Sequence, residues 1–559
     1  MTATGRPERK HGPALPDAAA APAQRADAPP DAPVEGASFG LFAASDFTLG
    51  TGRSAAGTAL PQALWLFRDE TIAVPRPGQP VAGFGRGCAT FDDLGDWFAG
   101  LGDAIPRELP PLVWAAAPEL RVGCVLAADG ASMRCDSGSA GEPVRWVPRI
   151  ATNRAFADRS SMAYLAQRPL RVRGTARADG FEIRTVWPQD WRLPPTCEPR
   201  APDTDGDVRA AWRSLVREAP RGGATSPFAA WQLWSRGTGT TPPGAPVLAF
   251  MANGAQGEDD EAHGGHFAIV TGHIGRDGGI GDWLVNDFYT LDSESEKGIL
   301  AAPVPLDNYL ADLNAGQAWY RPSVMLVAVL RQPDAAHLVQ SALGRVYNQF
   351  YRRQLVYYHP DVNCTSISVD TLRTLGLDVA RRRAERPLLA AAGFPLLLAR
   401  ERSLAKAKLW CDYLSADPTR LLPAVALEEI VAALWSCTVG GGTDAARHGR
   451  LAALLARDVD ALIGVRLPQI PSSRPWGDAP VESLAEYAAR LPRPPAQPVV
   501  VPVPARPFPQ DLRDPDLLPP PLSRSDVVAA GWGVAALVGL PAVVRALWRR
   551  RRARRRARL

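Results

Sequence analysis

The sequence predicts an α+β protein, and three observations predict it. Residues 37–205 hold short apolar runs, at 63–67, 112–116 and 181–186 among others, each broken by Gly, Pro or Asp, which is the punctuation of short strands. Residues 206–380 mix strand-length apolar runs with stretches of helical periodicity. Residues 381–466 are rich in Ala, Leu and Arg and read as a helical extension.

In chain order, residues 1–36 are Ala-, Pro-, Asp- and Arg-rich without an apolar run. They are expected to be a disordered lead lacking the apolar core of a secretory signal. The β-rich region that follows carries Trp65, Trp97, Trp114, Trp146, Trp187 and Trp191, expected as core or loop anchors, with a carbohydrate-stacking surface as the alternative. From 208 a helix containing Trp212, Leu215 and Val216 leads to a strand at 246–251. A strand opening at His266 follows, then its hairpin partner at 282–289, then a seven-residue apolar strand at 324–330. A helix is expected over 335–358, with Leu338, Ala342, Val346 and Phe350 on one face. The apolar run 387–399 is too short to span a bilayer and is expected in the core.

Residues 467–525 are dominated by proline, part of a total of 54, and are expected to form a semi-rigid spacer. Residues 526–548 include eighteen uncharged positions, 527–544, and an arginine tail ends the chain at 549–559. Eighteen helical residues reach about 27 Å, so one C-terminal transmembrane helix is expected. A peripheral helix on anionic lipid is the alternative, because Gly531, Gly533, Gly539 and Pro541 interrupt the run. Membrane lipid is therefore the expected partner. The side on which the body sits stays open, since the tail favours a cytoplasmic C-terminus while no export signal is present.

The formal charge of +5 includes nine arginines between 545 and 559, so the remaining chain carries about −4. That balance offers no nucleic-acid surface. Seven cysteines lack the close pairs of a zinc site, and no cofactor is assigned. Cys124 and Cys135 can bridge a hairpin if the chain is exported.

The stretch His359-Pro360-Asp361-Val362-Asn363-Cys364-Thr365-Ser366 places a cysteine where a helix begins. Ile367, Val369, Leu372 and Leu375 continue at helical spacing to Gly376, a C-terminal cap. Asn363 is the expected N-cap. The unpaired N–H groups and dipole of the first turn would stabilise a thiolate at Cys364. His266 is the base within the fold's reach, and Asn286 or Asp287 is the group to orient it. His263 and His273 do not share a metal-ligand spacing with His266, and His359 is expected to be an exposed residue before Pro360, with a supporting role behind the site as the alternative.

The segments His266-Phe267-Ala268-Ile269-Val270 and Trp283-Leu284-Val285-Asn286-Asp287 resemble the histidine and orienting-asparagine strands of papain-like proteases. In those enzymes the cysteine helix comes first. Here it follows, an order that resembles the circularly permuted papain-like superfamily, which includes NlpC-type peptidoglycan amidases and the lecithin–retinol acyltransferase group. The Asn363-Cys364 step is also similar to that group's nucleophile. The resemblance covers about residues 245–380 and lacks the Ser-Trp-Gly that follows the papain-like asparagine. It implies a permuted papain-like core and a thiol-dependent hydrolase or acyltransferase, with Cys364, His266 and either Asp287 or Asn286 at work. Asp287 is favoured because it stands four residues after Trp283. Peptide, peptidoglycan and lipid substrates all fit. A catalytically silent, membrane-tethered binding module is the alternative.

Overall fold

The computed structural model describes residues 93–106, 113–135, 141–147, 159–217, 228–254, 265–289, 301–313, 320–384, 387–439 and 449–470, apart from a few positions within them, together with short strands between 38 and 75. The expected lead 1–36, nearly all of the spacer 467–525, the span 526–548 and the tail 549–559 lie outside the described residues, as does His263. No described helix is long and apolar enough to cross a membrane.

The first part is β-rich. Strands β1 (Ser38–Phe39) and β2 (Phe42–Ala43) pair, and β3 (Thr48–Leu49), β4 (Gln62–Phe67), β5 (Glu70–Pro75) and β6 (Val113–Trp114) form a second sheet. Helix α1 is Asp93–Gly100. A five-stranded closed barrel follows, built from β7 (Glu119–Leu126), β8 (Ser132–Arg134), β9 (Glu142–Trp146), β10 (Leu170–Arg177) and β11 (Gly180–Pro188), with α2 (Arg159–Ala166) between β9 and β10. Cys124 and Cys135 form a disulfide across the β7–β8 hairpin. Trp187 and Trp191 are buried and meet edge to face at 5.1 Å, which makes them core and removes them from any stacking surface.

The central sheet has eight strands. They are β12 (Glu198–Pro199), β13 (Ala229–Ser235), β14 (Pro246–Asn253), β15 (His266–His273), β16 (Leu284–Asn286), β17 (Pro303–Pro305), β18 (Ser323–Leu330) and β19 (Val459–Leu467), in the spatial order β12-β13-β19-β18-β14-β15-β16-β17. Helices α3 (Val208–Arg217), α4 (Leu306–Ala311), α5 (Asp334–Tyr351), α6 (Cys364–Thr374), α7 (Pro387–Glu401), α8 (Leu404–Ser415), α9 (Pro418–Leu421), α10 (Pro423–Thr438) and α11 (Arg450–Asp458) complete the α+β architecture. Every residue of β18 is buried, and each large apolar side chain taken from water there stabilises the sheet by about 1.5–3 kcal/mol.

Three expectations need correction. Residues 459–467, read as the end of the helical extension and the first residue of the spacer, form strand β19 between β13 and β18. A continuous apolar run in the middle of a sheet lacks the alternation that distinguishes strand from helix, so the sheet that carries the core reaches far beyond residue 380. The helix expected over 335–358 ends at Tyr351. The run 387–399 is helical, as part of α7, but its described part is not core: none of residues 393–400 is buried.

Candidate active site

The cysteine helix starts as its sequence dictates. Asn363 has extended backbone, φ −135° and ψ 177°, and its side-chain oxygen accepts from the N–H groups of Thr365 at 2.8 Å and Ser366 at 2.9 Å. Ser366 Oγ accepts in turn from the Asn363 N–H at 2.8 Å, closing a reciprocal capping box. Gly376 ends the segment at φ +90°, with Gly449 packed where a side chain would stand. Cys364 is thereby fixed in the first turn, 5% exposed.

The histidine is held by the sheet. Gly265, at φ +92°, has the Asn253 carbonyl oxygen 2.6 Å from where a Cβ would lie, so glycine alone fits the close approach that starts β15. His266 then stands opposite Asn253 on β14, which stands opposite Ser323 on β18. Asn253 donates to Ser323 Oγ at 2.6 Å and accepts from the Tyr309 hydroxyl at 2.8 Å.

Asp287 is the carboxylate that meets the histidine. Its Oδ1 lies 2.6 Å from His266 Nε2, and both side chains are buried. This contact is an ion pair whose ring N–H is not well aligned with the oxygen. The Tyr347 hydroxyl donates to the Asp287 carbonyl at 2.9 Å, and Phe288 stacks on the Tyr347 ring at 4.1 Å, which fixes the chain where β16 ends. Asn286 points to the opposite face. Its Nδ2 donates to Gln340 Oε1 at 3.1 Å, and Gln340 Nε2 donates back at 3.0 Å. The alternation of a strand explains the choice: the register pairing Asn286 with Ile269 puts Asp287 beside the His266 face and Asn286 beside the α5 face. Of the two alternatives from sequence, Asp287 meets the histidine and Asn286 does not.

Electrostatics couple the three groups. Burial opposes protonation of His266, but the Cys364 and Asp287 charges outweigh it and push the imidazole up to about 10. Burial likewise opposes the Cys364 thiolate, yet the His266 charge and hydrogen bond, the Phe267 N–H and the Thr365 hydroxyl bring the thiol below its ordinary value. With Nε2 taken by Asp287, Nδ1 is the ring nitrogen that can serve the sulfur. Both shifts run in the direction that favours a thiolate beside an imidazolium.

Tyr309 gave no signal in the sequence. Its ring centroid lies 6.3 Å from that of His266, and burial pushes its hydroxyl well up, with the nearby Asp287 charge adding to the effect. Nor is His359 merely exposed: it is half-buried, its Nδ1 lies 2.9 Å from the Tyr413 hydroxyl, and its carbonyl accepts from Asn363 Nδ2 at 2.7 Å. His273 is at the far end of β15 from His266, and no metal-binding cluster occurs among the described residues. No family model matches the chain, and no curated protein and no solved structure matches it at a significant level.

Proposed function

We propose that this chain is a thiol-dependent acyl-transfer enzyme, a hydrolase or acyltransferase with a permuted papain-like core. The observation that carries the reading is the single buried constellation in which His266 lies between Asp287 and a cysteine seated at a capped helix start. A structural cysteine buried among apolar groups has its thiol pushed up, as at Cys437, where burial raises it to about 12. Cys364 is displaced the other way.

The Cys364 sulfur attacks an amide or ester carbonyl, forming the S–C bond as the carbonyl electrons move onto oxygen. That oxygen meets the backbone N–H of Cys364. The other N–H groups of the first turn are occupied, those of Thr365 and Ser366 by Asn363 Oδ1 and that of Ile367 by the Asn363 carbonyl. His266 passes its proton to the leaving amine or alcohol as the C–N or C–O bond breaks. Water or a second acceptor then gives a proton to His266, attacks the thioester and releases the sulfur. The Cys124–Cys135 disulfide supports an oxidising compartment for the body, and the apolar segment 526–548 supports a membrane-anchored protein acting at the membrane or cell envelope.

The test is intact-protein mass spectrometry after brief exposure to p-nitrophenyl esters and model peptide amides. An acyl adduct on the Cys364 peptide, absent in Cys364→Ala, is expected. Unchanged turnover in folded Cys364→Ala overturns the proposal, and a partner retained through residues 37–205 in that variant establishes a binding module instead.

A further inference from the structure

Helix α7 is apolar nearly all round, with the sequence PLLAAAGFPLLLARE, and a soluble helix of that kind is normally buried. This one is not. None of its residues 393–400 is buried, and Leu396 is 74% exposed. Helix α8 packs against α7 after a two-residue turn at Arg402 and Ser403, with Arg402 in the left-handed region at φ 50° and Ser403 capping α8. Only Ala407 of α8 is buried, while Leu404 and Trp410 stand out, Trp410 at 45% exposure. Val356 and Tyr358, on the segment leading to the cysteine helix, are also exposed. Among the described residues, the other large apolar side chains this exposed are Val122 and Val125, on the barrel.

The hairpin is wired to the site. Tyr413 of α8 is hydrogen-bonded to His359, whose carbonyl holds the Asn363 cap of Cys364. The Tyr358 hydroxyl donates to Asp412 of α8 at 2.6 Å. A run of rings also leads outward from the dyad, with centroid separations of 6.4 Å from His266 to Tyr289, 5.6 Å to Tyr357, 6.3 Å to His359, 5.6 Å to Tyr413 and 6.4 Å to Trp410.

Charge identifies what covers this face. Residues 381–408 carry eight Arg or Lys and two Glu, against about −4 for the chain without its arginine tail. Arg382 is turned inward to Glu428 and Glu429, both at 2.7 Å, and Lys408 pairs with Asp412, whereas Arg402 and Lys406 are exposed beside the apolar residues. Apolar side chains interleaved with exposed cations and an outward tryptophan match a bilayer's anionic interface. At fifteen residues α7 reaches about 22 Å, short of the ~30 Å hydrocarbon core, so it lies in the membrane plane.

We infer that the α7–α8 hairpin is a lipid-contacting surface, seated in the plane of an anionic bilayer beside the Cys364 site. The consequence that substrate reaches Cys364 from the membrane rests on the acyl-transfer reading; the surface itself does not.

The experiment uses the full chain on phosphatidylcholine vesicles with and without phosphatidylglycerol, each doped with a photoactivatable phospholipid, and maps the cross-linked residues. Cross-links are expected at 394–410 and at Val356 and Tyr358, increased at least fivefold by phosphatidylglycerol. Leu396→Glu with Trp410→Glu should cut hairpin labelling about tenfold and leave labelling of 526–548 unchanged. Leu396→Gln alone gives an intermediate loss and controls for folding. Labelling confined to 526–548, or a hairpin shielded by a second copy in a stable dimer, overturns the inference. A vesicle-borne ester should react at least tenfold more slowly in the double variant than in wild type, and a soluble ester should lose far less than that. Hairpin labelling that persists with an inert Cys364 removes the enzyme reading alone.

Discussion

Asn363 does two separable things, so two substitutions there should rank oppositely in two assays. Its oxygen caps the helix by accepting from Thr365 and Ser366, and its Nδ2 donates to the His359 carbonyl. Asn363→Ala removes all three bonds. The cap is worth about 1–2 kcal/mol and the bond to His359 about 1 kcal/mol, so a loss of about 2–3 kcal/mol is expected in urea unfolding. Asn363→Asp keeps a good cap and loses only the donated bond, about 1 kcal/mol. Reactivity should invert. A carboxylate on the residue beside the sulfur, roughly 5 Å away at an effective dielectric near 20, disfavours the thiolate by about 3 kcal/mol, which is about 2 pKa units. Well below the thiol pKa, iodoacetamide should then modify Cys364 about 100-fold more slowly in Asn363→Asp, and less than tenfold more slowly in Asn363→Ala. If both variants fall in the same order in both assays, the first turn is not stabilising a thiolate.

Other outcomes follow from the same geometry. Asp287→Asn keeps the shape but removes the charge 2.6 Å from His266 Nε2, so kcat should drop about 10²–10⁴-fold and the alkaline limit of activity should move down. Gln340→Ala removes the donor to Asn286 Oδ1 while Nδ2 keeps its bond to the Ile269 carbonyl, and should cost about 1–3 kcal/mol of stability with no change in Cys364 alkylation, as expected if Asn286 serves the fold. The pH dependence of stability has a definite sign. His266 is raised on folding, so its contribution is complete below about 6.5 and lost as the pH climbs towards about 10. Cys364 is lowered, so its contribution is complete above about 8.5 and lost as the pH falls through its folded value. Thermal melts of wild type and Cys364→Ser, compared across that range, should diverge accordingly.

Much of the site was legible because it is local. Asn363 and Gly376 are helix signals within one short segment, and the place of Asp287 four residues after Trp283 favours it over Asn286. What escaped depends on long-range packing. Val459–Leu467 is an inner strand because β13 and β18 flank it, a fact its own apolar run does not encode. Tyr309 reaches the dyad through Asn253, 56 residues away in sequence. Helix α7 was expected in the core since apolarity ordinarily means burial, and its exposure is visible only once its neighbours are placed. The barrel's closure likewise needed the fold, whereas the Cys124–Cys135 bridge, offered by the sequence for an exported chain, is formed.

The most direct measurement is the rate of Cys364 alkylation against pH, in wild type and in His266→Ala. A thiolate–imidazolium pair gives a rate that stays high well below the ordinary thiol pKa of about 8.5, and loses that plateau when the histidine is removed. A Cys364 that titrates as a free thiol in both proteins, or stays inert in both, contradicts the dyad.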